Sequence, residues 1–105
     1  MEPIDREPRL RSDLALRRRT LWLGEIELYD EQLAISGWHW SGSVWRPIPI
    51  KDIRRVEKWP APEGRVNLVL RPKNRDDFYC QVEDGVFYWV KEFRDDERTD
   101  VEIRH

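Results

Sequence analysis

The side chains best suited to nucleophilic, acid–base or metal chemistry in this chain are Cys80, His39 and His105, and they lie far apart in sequence. A cysteine nucleophile needs an adjacent base to form the thiolate. Cys80 instead sits in Phe78-Tyr79-Cys80-Gln81-Val82, an apolar and aromatic run that reads as core. His39 lies between Trp38 and Trp40, with no histidine, cysteine or carboxylate at ligand spacing, and reads as a strand-end residue. A lone cysteine excludes an internal disulfide and a multi-cysteine zinc site. Asp76-Asp77 and Asp95-Asp96-Glu97 could attract a divalent cation, but neither has the glycine-bearing loop of alternating oxygens that such a site uses. Both read as solvated turns and helix ends. No catalytic residue, cofactor site, metal site or small-molecule substrate is assigned, and the chain is expected to be non-enzymatic.

Two basic groupings carry a different chemistry. Arg17-Arg18-Arg19, near Arg9 and Arg11, could touch an anionic surface, or could simply be a solvated strand entry beside Glu25 and Glu27. Arg54, Arg55 and Lys58 beside Trp59, with Arg46, could hold single-stranded nucleic acid by stacking. A net charge of -2 lacks the basic excess of a dedicated nucleic-acid binder, which disfavours that second use.

The elements that must position these residues are short. A length of 105 residues fits one domain with one modest core. An aromatic content of 11% argues for a folded chain, and the single cysteine for a reducing, cytoplasmic setting. No stretch approaches the length of a signal peptide or a membrane-spanning helix, so a soluble protein is expected. Residues 1–19 read as an N-terminal arm and strand entry, 20–97 as the domain, and 98–105 as a tail or a short extra strand around Val101 to Ile103.

Within the domain, Leu21 to Val56 predicts a three-strand antiparallel meander that bends at Pro49 to Asp52. With Asp30-Glu31 as the first turn centre, Leu28 faces Leu33, Ile26 faces Ile35 and Trp22 faces His39. With Ser41-Gly42 as the second, Trp38 faces Trp45 and Ile35 faces Ile48. Two prolines two residues apart, Pro47 and Pro49, require an edge, a bulge or a bend. Val66 to Leu70 and Phe78 to Val82 alternate as a second hairpin. Val86 to Glu97 reads as a helix capped by Asp84, with a strand through Val86 to Val90 as its alternative.

Alternation along these strands sorts the meander into two faces. Ile26, Leu28, Leu33, Ile35, Ile48 and Ile50 share the core face. Leu21, Leu23, Trp38, Trp40, Trp45 and Pro47 collect on the other, which starts polar at Glu25 and Glu27 and ends in tryptophan. Either residues 1–16 or another strand cover that face, or it is an interaction surface, for which a homodimer is the most economical form.

The run Gly24-Glu25-Ile26-Glu27-Leu28-Tyr29-Asp30-Glu31-Gln32-Leu33-Ala34-Ile35, followed by Ile48-Pro49-Ile50-Lys51-Asp52-Ile53 and Val56, resembles the pleckstrin-homology-like superfamily, most of all its small GRAM-type and bacterial branches. The resemblance covers Leu21 to Arg94. It implies a mainly β fold: a bent, partly open antiparallel barrel of about seven strands capped by a C-terminal helix, with Trp89 packed inward. Members of that superfamily bind phospholipids or peptides, or act as scaffolds. The phosphoinositide-binding members place lysines and arginines in the loop joining their first two strands. On the sequence reading that loop is the acidic Tyr29-Asp30-Glu31-Gln32, so no phosphate site carries over. The expectation is a binding or scaffolding module that uses Leu21, Leu23, Trp38, Trp40, Trp45 and Pro47 for self-association or a protein partner. The alternative is an anionic lipid or membrane surface met by Arg17, Arg18 and Arg19.

Overall fold

Short alternating runs, split by turn residues, become eight strands and one helix among the described residues. The computed structural model describes residues 7–16, 22–39, 42–60, 65–82 and 85–104, with the backbone alone at 22, 23 and 39. In chain order the elements are β1 (Leu10–Leu16), β2 (Trp22–Leu28), β3 (Gln32–His39), β4 (Gly42–Pro49), a 3-10 turn (Ile50–Asp52), β5 (Ile53–Lys58), β6 (Leu68–Pro72), β7 (Phe78–Val82), α1 (Val86–Asp95) and β8 (Asp100–Ile103). The strands form one curled sheet in the order β4-β3-β2-β1-β7-β6-β5-β8. Helix α1 packs against β5 and β8. The result is a half-barrel closed by a helix, the mainly β architecture expected. Among the described residues it has eight strands where about seven are expected, and one pair, β5 with β8, is parallel.

The extra strands lie in the two segments read as arm and tail. β1 is the strand that joins the two halves of the sheet. Its first half pairs with β2, Leu10 opposite Leu28 and Asp13 opposite Glu25; its second half pairs with β7, Leu14 opposite Val82 and Leu16 opposite Cys80. Leu10, Leu14 and Leu16 do alternate with Arg11, Asp13 and Ala15, but a buried serine, Ser12, takes a core-facing position and breaks the apolar pattern. At the other terminus β8 lies along the edge of β5, Val56 opposite Val101 and Glu57 opposite Glu102.

The inward faces of both halves supply one core. Ile26, Leu33, Ile35 and Ile48 come from the first half, Ile53, Val56, Leu68, Leu70 and Cys80 from the second, all nearly inaccessible to solvent. Trp89, Val90 and Phe93 of α1 close it from the side. Their i, i+1, i+4 spacing puts three side chains on one helical face, and truncating a buried aromatic of this kind costs about 3–5 kcal/mol. The helix begins one residue later than an Asp84 cap would place it. Gly85 takes that position at φ 65, a left-handed conformation that glycine adopts without strain. Asp84 itself lies outside the described residues.

The β2–β3 register matches expectation from Leu28↔Leu33 to Glu25↔Ser36, then a bulge intervenes and Trp22 pairs with Trp38 rather than His39. The β3–β4 register differs by two residues. His39 pairs with Gly42, Ser36 with Trp45 and Leu33 with Ile48, because the hairpin closes at Gly42 instead of turning on it. A two-residue shift preserves which face each side chain takes, so the division into core and outer faces is unchanged. Pro47 and Pro49 fall on β4, whose only neighbour in the sheet among the described residues is β3. An edge strand tolerates missing amides that point away from its partner.

The outer face of the hairpin as candidate functional site

Trp38, Trp45 and Pro47 lie on one face of β3 and β4, turned away from the core. Ser36 stands opposite Trp45 and Ser43 opposite Trp38, so the two tryptophans are diagonal neighbours separated by small hydroxyl residues. That diagonal is close enough for large rings to share one surface. Trp38 is 53% exposed and Trp45 47%, while Pro47 is half-buried. Strands hold the two rings at fixed positions, and the cost of exposing them to water is unrelieved within the described chain. Across the same face the next residues are charged. The row from Trp45 continues through Ser36 to Glu25 and Asp13, and the row from Pro47 through Ala34 to Glu27 and Arg11. Arg11 spans the acids, 3.3 Å from Glu25 and 2.8 Å from Glu27, so the polar side of the face is an internal ion-pair lattice. The tryptophan end is the apolar remainder.

Of residues 1–16, proposed as a cover, residues 1–6 lie outside the described residues. Residues 10–16 run within the sheet as β1, two strands away from β3. Of the other residues assigned to the face, Leu23 is a backbone position in β2, while Leu21 and Trp40 lie outside the described residues. So do Arg17, Arg18 and Arg19. Their place in the chain is nonetheless fixed by their neighbours: β1 ends at Leu16 and β2 begins at Trp22. The loop joining the first two strands is therefore the one that holds the arginine triplet, and Tyr29 to Gln32 joins the second pair.

The basic–aromatic grouping around Trp59 is not one open surface. Glu57, buried on the outer face of β5, gathers it into a network. Its carboxylate accepts hydrogen bonds from Nε of Arg71 and, at 3.0 Å, from the Trp59 indole. Arg104 approaches the same oxygen as Trp59, at 2.8 Å, and Arg55 lies 3.3 Å from the oxygen that Arg71 holds. Arg55 also pairs with Glu102, and Arg71 donates to Asp77 at 2.5 Å. The Trp59 ring meets Tyr79 edge-on at 5.9 Å and the Arg104 guanidinium at 5.3 Å. Arg71, more than the opposing effect of burial, holds the Glu57 carboxyl down at about 2. Lys58 is turned elsewhere, its Nζ 4.6 Å above the Phe87 ring. Sequence reasoning missed this network because its members are scattered; the usable signal was the outward alternation of Arg55, Glu57 and Trp59.

One carboxylate of each acidic run is also engaged. Asp77 faces Arg71, and Asp96 accepts from Arg98 at 2.7 Å, which depresses its carboxyl. Arg98 also reaches Glu31 at 2.9 Å, tying the β2–β3 turn to the end of the helix. Burial pushes the Cys80 thiol up to about 12. No group of three or more histidine, cysteine or acidic side chains suited to a metal occurs among the described residues, and none of their helices is long and apolar enough to cross a membrane. Besides the two tryptophans, Phe87 and Tyr88 are exposed large hydrophobics, each 68% open at the start of α1.

No protein-family model matches the chain, and no curated protein or solved structure is significantly similar to it.

Proposed function

We propose that this chain is a non-enzymatic binding or scaffolding module of pleckstrin-homology-like architecture. It uses the outer face around Trp38, Trp45 and Pro47 for self-association or to hold a protein partner. The observation that carries this reading is that two tryptophans on adjacent strands stay about half exposed while the strand beside them runs in the plane of the sheet. Tryptophan is the residue most enriched at interface anchors, and rigid strands present it with little entropy left to lose. Glu57, Asp77 and Asp96 are tied into ion pairs and Cys80 is buried in the core, which supports a binding role over a catalytic one. Comparing masses of the wild type with Trp38→Ala and Trp45→Ala by light scattering tests it in the self-associating form. The expected outcome is a wild-type oligomer that each substitution weakens, and a monomeric wild type contradicts it.

A second reading has its own support. With β1 in the sheet, Arg17 to Arg19 occupy the connection where phosphoinositide-binding members of the resembled superfamily carry their basic residues. On this reading the module meets an anionic lipid surface. Three basic residues near such a surface contribute about 1 kcal/mol each. Co-sedimentation with phosphatidylserine vesicles, lost on charge reversal of all three arginines, is the expected result; equal binding to neutral vesicles contradicts it.

A further inference from the structure

We propose that the partner of the tryptophan face is a second copy of this chain, joined by antiparallel pairing of β4 with β4 about a two-fold axis at Val44. This rests on the self-association reading above and assigns it a geometry. Among the described residues β4 is an edge strand, hydrogen-bonded only to β3. Alternate residues of a strand turn their backbone groups to opposite sides. Pro47 and Pro49 have no N–H to give β3, so the odd-numbered positions of β4 face outward. Ser43 and Trp45 share that parity and carry amides. The open edge is thus divided: the prolines block addition from residue 47 onward and leave a short competent window, Gly42 to Arg46.

That window is complementary to itself. Pairing centred on Val44 sets Ser43 opposite Trp45 of the other copy and Gly42 opposite its Arg46. Each large side chain then meets a small one, and only Val44 meets its like. Ser43 already has Trp38 on its other side. The row across the interface therefore reads Trp38, Ser43, then Trp45 of the second copy, so that two indoles close over one serine. The two-fold axis repeats the arrangement. Four tryptophans that are about half exposed in the single chain become one covered patch on a continuous sheet. Gly42, at φ 129 with open space around its α-carbon, leaves room for the opposing arginine. Sliding the centre to Trp45 would put Ser43 opposite Pro47 and lose the outward amide there, so the prolines select against that register.

Cysteine substitution tests this arrangement directly. In the proposed register Val44 faces its own counterpart at a pair without backbone hydrogen bonds, close enough to form a disulfide. Two Arg46 positions are offset by four residues, at least about 13 Å along the strand. The native Cys80 is fully buried and does not compete. Under mild oxidation Val44→Cys is expected to give a covalent dimer at least ten-fold faster than Arg46→Cys. Ser43→Pro keeps both tryptophans, removes one outward amide and is expected to return the protein to a monomer. If the wild type is a dimer that Trp45→Ala dissociates, but the two cysteine variants crosslink equally or Ser43→Pro stays dimeric, the edge pairing is overturned and the face reading stands. A wild type that remains monomeric overturns the edge pairing and the self-associating form of the face reading together.

Discussion

Glu57 accepts a hydrogen bond from Nε of Arg71, its diagonal neighbour on β6, while Arg55 stands directly opposite Arg71. Two arginines at facing positions repel. The carboxylate between them, with Arg104 approaching from the C-terminal edge, converts a repulsive pair into a closed network. The Glu57 side chain is shielded mainly by these guanidinium groups and the Trp59 indole, so its charge is covered and neutralised by the same atoms.

Replacing Glu57 with glutamine removes the central charge shared by three guanidiniums, leaving Arg71 with Asp77 and Arg55 and Arg104 with Glu102. Breaking a buried ion pair from one side typically costs 3–5 kcal/mol; partial exposure of the arginines lowers this to about 2 kcal/mol. Urea unfolding of Glu57→Gln should show a loss of that size. A midpoint identical to the wild type contradicts it.

The same network sets an acid dependence. The folded carboxyl of Glu57 lies at about 2, below its ordinary value of 4.5, so its contribution is fully present above that ordinary value. It is lost as the pH falls toward 2, because the unfolded chain takes up the proton first. Asp96, also depressed, adds in the same direction. Stability measured from pH 6 down to pH 2 should fall, and the slope should be shallower in Glu57→Gln. Parallel curves for the two proteins contradict the assignment.

Cys80 should be chemically silent in the native state. Its side chain is fully buried between the layers and its thiol is pushed up to about 12. The thiolate is the reactive form, so both access and ionisation oppose attack. Labelling with a thiol reagent at pH 8 should be at least a hundred-fold slower in buffer than in denaturant. Comparable rates contradict the burial.

Gly85 starts α1 at φ 65, and a β-carbon added there would lie 2.9 Å from Cδ2 of the Tyr88 ring. Gly85→Ala therefore meets both backbone strain and a clash, at about 1–2 kcal/mol. Asparagine tolerates the left-handed region better. Thermal unfolding should rank glycine above asparagine above alanine, and an unchanged alanine variant contradicts the cap.

The sequence was most readable where alternation was unbroken. Phe78, Cys80 and Val82 marked β7 at both its ends, and the spacing of Val86, Val90 and Phe93 marked the helix. β1 escaped because Ser12 occupies an inward position and the flanking prolines and charges read as an arm. The consequence was larger than one strand, since an uncounted first strand shifted which loop was taken to join the first two. The tryptophan face survived a register error because the error was two residues, which conserves the side of every side chain. The Glu57 network had no such protection: Glu57, Arg71 and Arg104 meet only through the pairing of β5 with β6 and with β8.

The most direct measurement is sedimentation equilibrium over a micromolar concentration series, on the wild type and on Trp38→Ala/Trp45→Ala. The wild type should approach twice its chain mass of 12.8 kDa as concentration rises, and the double variant should hold the single-chain mass throughout. Single-chain mass for the wild type across the series, or an undiminished dimer in the double variant, would contradict a self-associating tryptophan face.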